Sequence, residues 1–329
     1  MMEDNHGTNK DNYSAHGGGG GLSLVVPCYN EEDTIPIFYE EASCIIKSIE
    51  TEHIHNVEFI FVDDGSTDNT SGAIKKLAQR DNRVHYVIFS RNFGKEAALY
   101  AGLQKAMGEY TAVLDVDLQD PPSLLPQMLN AIQNEGYDCV ATRRITRKNE
   151  PPIRSFFARL FYKIMGGLSN VPVVDGARDF RLMTRKYKDA VVSLCERNRF
   201  TKGIFPWVGF TTKWLEYENI ERAAGKTKWS FKKLFIYSLD GIIGFSTKPL
   251  AFAAGAGIVS IILAFFLIAT VIIKKIMIGD PVQGWASTIC VILFLGGVQL
   301  FTIGILGLYV AKIYIEVKQR PIYIAKEEA

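Results

Sequence analysis

Val113-Leu-Asp-Val-Asp-Leu-Gln-Asp-Pro-Pro122 is the stretch from which the rest of the chain can be read. Tyr110 to Leu114 is aromatic, β-branched and apolar, the composition of a buried strand. It delivers Asp115 and Asp117 to its carboxyl end, where Pro121 and Pro122 forbid continuation. In an open α/β sheet, ligands bind beyond the carboxyl ends of the strands. Asp115, Asp117 and the amide of Gln119 there make a hard oxygen set suited to Mg²⁺ or Mn²⁺ and, through it, a phosphorylated ligand. An isolated Asp-x-Asp is equally a strand followed by a solvated acidic turn. The surrounding chain has to decide.

Upstream, the same alternation repeats. Leu22 to Val26 forms a strand followed by Pro27-Cys-Tyr-Asn-Glu-Glu32, and Asn30 or Asp33 can cap a helix reaching about Ile49. Val57 to Val62 is a second strand, ending in Asp63-Asp64-Gly65-Ser66-Thr67-Asp68, with Asp68 or Thr70 as the next helix cap. Val84 to Phe89 is a third, and Ser90-Arg-Asn-Phe-Gly-Lys-Glu96 leads into a helix closed by Gly108. After the Asp115 strand, a helix spans about Pro122 to Gln133, and Asp138 to Thr142 forms a fifth strand ending in Arg143-Arg144. This is an α/β sheet whose charged residues gather just past apolar strands, where one cleft collects them.

The 329 residues carry a net charge of +2, so no global field argues for nucleic acid. Five scattered cysteines without metal-ligand spacing suggest buried thiols in a reducing compartment. Residues 1–21 are polar, lack an apolar signal core and end in Gly17 to Gly21, the composition of a disordered leader. The apolar excess lies near the other end. Pro249 to Ile273 and Trp285 to Ala311 contain no charged residue, and each exceeds the roughly 20 residues that cross a hydrocarbon core. The short connector, 274–284, makes them a hairpin. Lys226, Lys228, Lys232, Lys233 and Lys248 before it and Lys312, Lys318, Arg320 and Lys326 after it put both flanks in the cytoplasm. Trp229 to Phe245 carries lysines and aromatics at helical spacing, suited to the membrane interface. Pro152 to Leu168 has a basic, aromatic helical pattern, and Asp175 to Met183 is a loop entering a strand.

A metal site at a sheet edge suggests nucleotide diphosphate chemistry, with the metal neutralising and orienting the leaving group. Asp63 and Asp64 can accept hydrogen bonds from a base or ribose. Arg143, Arg144, Arg199, Lys202 and Lys228 suit the phosphate of an acceptor resident in the bilayer. With a second phosphate pKa of about 6, such an acceptor is already ionised and needs positioning more than a base.

The motifs Val26 to Glu32, Val62 to Asp68, Ser90 to Glu96 and Leu114 to Pro122 resemble those of family 2 glycosyltransferases. More narrowly they resemble the polyprenyl-phosphate glycosyltransferases, which include dolichyl-phosphate mannose synthase and bactoprenol glucosyltransferases. Asp179-Phe-Arg-Leu-Met183, Lys202 to Trp207, Gly225 to Trp229 and the paired C-terminal helices also match. The resemblance implies a Rossmann-like GT-A nucleotide-sugar domain over 22–225, a juxtamembrane segment 226–248, transmembrane helices 249–273 and 285–311, and a cytoplasmic tail 312–329. It implies a nucleotide-sugar pocket of Pro27, Tyr29, Glu31 and Asp64 with Asp63, Lys95 and Asp115, and a metal on Asp117, Gln119 and Asp115. Asp179 would be a base or an orienting carboxylate, and Arg143, Arg199 and Lys228 would hold acceptor or donor phosphates. Processive relatives carry Gln-x-x-Arg-Trp where this chain has Glu196-Arg-Asn-Arg-Phe200, which argues against a polysaccharide synthase.

The expected reaction is inverting transfer of one hexose, best matched by glucose from UDP-glucose, to undecaprenyl phosphate at the plasma membrane. GlcNAc or mannose is an alternative sugar. A nucleotidyltransferase is disfavoured by the absence of a Gly-rich phosphate loop after Val26, whereas a non-catalytic nucleotide-sugar-binding membrane protein stays open. Gly255, Gly257, Gly296, Gly297, Gly304 and Gly307 permit close helix contacts within or between chains, consistent with a homo-oligomer.

Overall fold

Residues 20–49, 54–144, 174, 176–217, 241–278 and 284–329 are described by the computed structural model. They build an eight-stranded mixed sheet in the order β7-β5-β6-β4-β1-β2-β3-β8. The strands are β1 (Gly20–Cys28), β2 (Ile54–Asp63), β3 (Val84–Phe89), β4 (Tyr110–Val113), β5 (Cys139–Arg144), β6 (Ala177–Thr184), β7 (Thr212–Tyr217) and β8 (Ala325–Glu328). β1 pairs in parallel with β2 and with β4, β2 with β3, and β5 with β7, whereas β6 runs antiparallel to β4 and β5 and β8 antiparallel to β3. The chain moves from β1 outward through β2 and β3, then returns to lay β4 on the other side of β1. That reversal opens a crevice beyond the carboxyl ends of β1 and β4.

Helices cover both faces. They are α1 (Thr34–Ile49), α2 (Thr70–Arg80), α3 (Lys95–Lys105), α4 (Leu125–Glu135), α5 (Arg185–Ser193) and α6 (Thr201–Trp207). Successive strand residues alternate sides. Leu22, Leu24 and Val26 pack with Phe38 and Ile46 of α1 and Met128 of α4, while Val25 packs with Ala98 of α3 and, through the same cluster, Tyr187 and Phe205. Small residues let α3 lie close to the sheet: a Cβ on Gly102 would come within 2.3 Å of Val25.

The expected strands are present, Val84–Phe89 with its expected bounds and the others with shifted ends, and β1 extends back into the glycine run of the expected leader. Gly108 does not close α3. The helix stops at Lys105 with Ala106 extended, and the following carbonyls are satisfied by cations from α5. Lys188 donates to Ala106 O at 3.1 Å, and Arg185 to Gly108 O at 3.3 Å and to Met107 O. That is favourable at a helix C-terminus. Thr70 is the first residue of α2 and not its cap, and Asn69 before it makes no side-chain cap bond. Asp68 folds the preceding turn by accepting from Thr70 N at 3.0 Å. Of the cysteines, Cys28 and Cys139 are buried, but Cys44 and Cys195 are exposed. The expected helix at 152–168, residues 218–240 and the connector 279–283 lie outside the described residues.

The apolar helices are longer than expected, α7 at Lys248–Ile278 and α8 at Trp285–Val317. Each contains a 27-residue span whose most apolar 18-residue stretch has a mean hydropathy of 2.9 or 2.3 and no buried residue. Phe265 and Leu300 are 71% and 72% exposed, which water would not favour and lipid would. The start of α7 and the end of α8 meet, Tyr309 donating to Ser246 O at 2.6 Å, so the pair is a hairpin rooted at the α/β domain. A Cβ at any of the six hairpin glycines would meet nothing within 4 Å, so they make no close contact among the described residues of the chain.

Residues 312–329 do not form a free tail. β8 closes the β3 edge, with Tyr86 and Ala329 exchanging backbone bonds at 3.1 and 3.0 Å and Tyr323 stacked on Phe89 at 4.8 Å. Charged Lys326, Glu327 and Glu328 blunt the edge that remains. Truncation after Pro321 should therefore lower stability by about 2 kcal/mol or more. Thermal unfolding of the reconstituted protein measures this, and an unchanged midpoint would mean that β8 contributes no stability.

Candidate active site

The turns after β1, β2 and β3 are sewn into one rim. Asn30 has a left-handed φ of 54°, tolerable for Asn. Its N–H donates to Ser66 Oγ at 2.9 Å, and its side-chain oxygen accepts from Thr67 N at 2.8 Å. Glu31 N donates to Thr70 Oγ1 at 2.8 Å. Between these turns, Gly65 (φ 66°) has no room for a side chain, since a Cβ would lie 2.3 Å from the backbone of Arg91. Pro27 near the end of β1, and Tyr29 and Glu31 on the braced loop that follows, therefore stand at the crevice mouth.

The paired acids after β2 turn inward. Asp63 is fully buried; one oxygen accepts from Ser66 N at 2.9 Å and the other from Ser71 Oγ. Both acceptors are committed, so Asp63 organises the turn and does not line a pocket for a base or ribose. Asp64 accepts from Phe93 N at 2.6 Å and Gly94 N at 3.0 Å, which shapes the approach to Lys95. Burial raises the Asp64 pKa, against the pull of those two amides.

Asp179 comes from β6, whose register pairs Val113 with Arg181 and so sets Asp179 opposite Asp115 two residues further on. Lys95, first residue of α3, lies between them, 2.7 Å from Asp115 Oδ1 and 2.5 Å from Asp179 Oδ2. Burial alone would lower the Lys95 pKa, but the charges of Asp115 and Asp179 outweigh it and raise it. Burial would likewise raise that of Asp179, but Lys95 foremost, then Lys202, hold it far below the usual carboxylate range. The result is a fixed carboxylate, ammonium and carboxylate on three different elements.

Leu118, with φ 55°, bends the chain back after Asp117, an outlier of the sort that marks functional turns. Asp117 accepts from Gln119 N at 3.3 Å. Arg178 donates Nη2 to Gln119 Oε1 at 3.3 Å and Nε to Asp120 Oδ1 at 2.9 Å, and Tyr217 donates to the same Asp120 oxygen. Burial raises the Asp120 pKa and Arg178 opposes it. This buried cluster pins the turn to β6 and β7. Sequence reasoning missed Arg178, although its place beside Asp179 was a signal. No group of three or more His, Cys, Asp or Glu poised for a metal occurs among the described residues. Asp115 and Asp117 with the Gln119 oxygen fit a hard divalent ion that takes its remaining ligands from a phosphorylated substrate, not a closed protein cage.

The basic residues part company. Arg143, next to last in β5, is half-exposed and is paired with Glu216 of β7. Arg199 is buried, its guanidinium 4.4 Å over Tyr100 and donating to Leu194 O, and burial lowers its pKa. It braces α3 against the turn before α6 and is not presented to a phosphate, which corrects the role expected of it. Lys202, one turn on, is near enough to Asp179 to depress it. Arg181, also beside Asp179, stacks 3.4 Å over Phe205. Lys228 lies outside the described residues.

The pattern of the family described as Glycosyl transferase family 2 matches residues 23–191. A putative glycosyltransferase of Bacillus subtilis (strain 168), CsbB, is 41% identical over 306 residues, 93% of this chain and 91% of that one. The SfII prophage-derived bactoprenol glucosyl transferase of Shigella flexneri is 42% identical over 306 residues, 93% and 97% of the two chains. A prophage bactoprenol glucosyl transferase homolog of Escherichia coli (strain K12) is 42% identical over 305 residues, 93% and 98%.

Removing Arg178 alone should strand the Asp120 carboxylate, whose other oxygen already has no hydrogen-bond partner among the described residues. Arg178→Ala is expected to cost about 3–5 kcal/mol, and Arg178→Met with Asp120→Asn clearly less. Denaturant unfolding of the two variants checks it. Equal losses would show that the ion pair does not hold the turn.

Proposed function

Because the chain belongs to glycosyl transferase family 2, with the GT-A fold, we propose that it transfers one hexose from a nucleotide sugar to a polyprenyl phosphate at the cytoplasmic face of a membrane. The observation that carries this reading is the Asp115–Lys95–Asp179 bridge on a domain rooted directly on a hairpin of lipid-suited helices. Relatives named as bactoprenol glucosyl transferases support glucose as the sugar and a polyprenyl carrier as the acceptor. UDP-glucose is the donor assigned, and undecaprenyl phosphate the acceptor. Lysines flanking both helices, with two in or beside the far connector, support the cytoplasmic orientation.

Pro27, Tyr29, Glu31 and Asp64 border the nucleotide, with Asp115 beside the diphosphate. Asp117, Gln119 and Asp115 would hold Mg²⁺ or Mn²⁺, which supplies neutralisation of the departing diphosphate. Lys95 stays protonated between its two acids and directs its charge at the same place. Asp179, paired with Lys95 and with its carboxyl held below the usual range, is not the group assigned to accept a proton. It orients Lys95 instead. The lipid phosphate, with a second pKa of about 6, brings its own negative charge and attacks the anomeric carbon in line, inverting it. Lys202, near Asp179, and Arg143 are the cations assigned to that phosphate.

Reconstituted protein given undecaprenyl phosphate and labelled UDP-glucose, UDP-GlcNAc or GDP-mannose should label the lipid from UDP-glucose. Binding of the nucleotide sugar without labelled lipid would favour the non-catalytic reading. Asp117→Asn should reduce transfer by at least about 100-fold, as should excess chelator; undiminished transfer in either case removes the metal from the mechanism. A tag after Ala329 should resist external protease in intact cells, and its digestion would reverse the orientation.

A further inference from the structure

An acidic side chain in the last turn of a helix opposes the negative end of the helix dipole. Glu316 sits there, in the last turn of α8, where its surroundings explain it. Its carboxylate accepts from Arg197 N at 3.0 Å, Asn198 N at 2.9 Å and Asn198 Nδ2 at 2.8 Å, and lies 4.0 Å from Arg197 Nη1. Two further bonds tie the same turn to α8 and its exit: Asn198 Nδ2 to Lys312 O at 3.2 Å and Arg197 Nε to Arg320 O at 2.6 Å. The Arg197–Asn198 turn is thus bolted to the end of α8, one of the two lipid-suited helices.

The other side of the turn is bolted to α3. Arg199 lies over Tyr100, and Thr201 donates its N–H to Glu96 Oε2 at 2.8 Å and its hydroxyl to the same oxygen. Glu96 adjoins Lys95, the residue that bridges Asp115 and Asp179. A short series of charged hydrogen bonds therefore runs from α8 through the 197–201 turn to the start of α3. Hydrogen bonds to ionised groups are about twice as strong as neutral ones.

We propose that Glu316 is a positioning residue that sets the height of Lys95 above the bilayer, and hence the reach of the site to a membrane-held phosphate. The consequence for the acceptor rests on the transferase reading above; the mechanical link does not. A soluble donor finds the site at any height, but an acceptor whose phosphate stays at the headgroup level does not. Loss of the link should therefore be felt by the acceptor and not by the donor.

Glu316→Ala and Glu316→Gln are compared with the unaltered protein, all in nanodiscs. In Glu316→Ala, amide exchange should quicken both in residues 197–201 and at Lys95–Ala98, the KM for undecaprenyl phosphate should rise about tenfold, and the Kd for UDP-glucose should not change. Glu316→Gln keeps an acceptor oxygen and should recover most of the exchange protection and of the KM. Faster exchange confined to 197–201, an unchanged acceptor KM, or donor and acceptor weakened together would each overturn the proposal, the last revealing a merely structural role. If the unaltered protein transfers no hexose to the lipid, the transferase reading falls. The exchange data alone then decide whether α8 and α3 are linked.

Discussion

A single ammonium group between two carboxylates governs the architecture of the site. Lys95 can meet Asp115 and Asp179 at once only if three elements converge: the start of α3, the end of β4 and the start of β6. Like charges this close would repel without it, and one acid would be driven to hold a proton. With it, Asp179 stays ionised despite burial. The antiparallel insertion of β6 next to β4 follows from the same requirement. A parallel strand would bring its carboxyl end, not its beginning, to the crevice, and the Asp179 motif lies at the beginning of its strand.

Every residue that supports this trio does so by removing freedom from a turn. Asp64 gathers the amides of Phe93 and Gly94, so the chain enters α3 with Lys95 already aimed. Asp120 holds Arg178, which holds Gln119, so the turn carrying Asp117 is fixed from behind. Buried charges of this kind add little net stability, because desolvation offsets their attraction. Their effect is geometric. In the proposed reaction most of the barrier is lowered by position and by preset charge, so rigidity in these turns serves catalysis directly.

The first five strands and the acids after β4 were legible because parallel buried strands are apolar runs and charged residues at their ends stand out; the sheet order and β7 were not. Asp115 and Asp117 stand out for that reason, whereas Lys95 and Asp179 were named through the resemblance of their motifs to those of the family. What pattern could not convey was the direction in which a polar side chain turns. Asp63 and Asp64 are neighbours of the same type, yet Asp63 is consumed by Ser66 and Ser71 while Asp64 shapes the adjacent loop. Arg199 looked like a phosphate ligand by composition and is in fact a brace, since Tyr100 offers it a ring and Leu194 a carbonyl. β8 was invisible because a strand of one alanine and three charged residues has no alternation of its own. Its partner supplies the pattern.

β8 and Glu316 show why the membrane part is not a mere anchor. α8 runs from Trp285 to Val317, about 50 Å at 1.5 Å per residue, well beyond the roughly 30 Å of a hydrocarbon core. The excess carries the helix up to the α/β domain, where Tyr309, Lys312 and Glu316 share the face that meets it. After α8 the chain goes on to complete the sheet at β3, the strand whose following loop leads to Lys95. The hairpin is thus joined to the domain before α7, along the last turns of α8, and again through β8. A domain tethered at one point would sample many heights above a bilayer, and an acceptor phosphate confined to that plane would meet the site only in a fraction of them. Attachment at three points would remove that averaging, and a fixed height suits the proposed reaction, whose second substrate stays in the membrane.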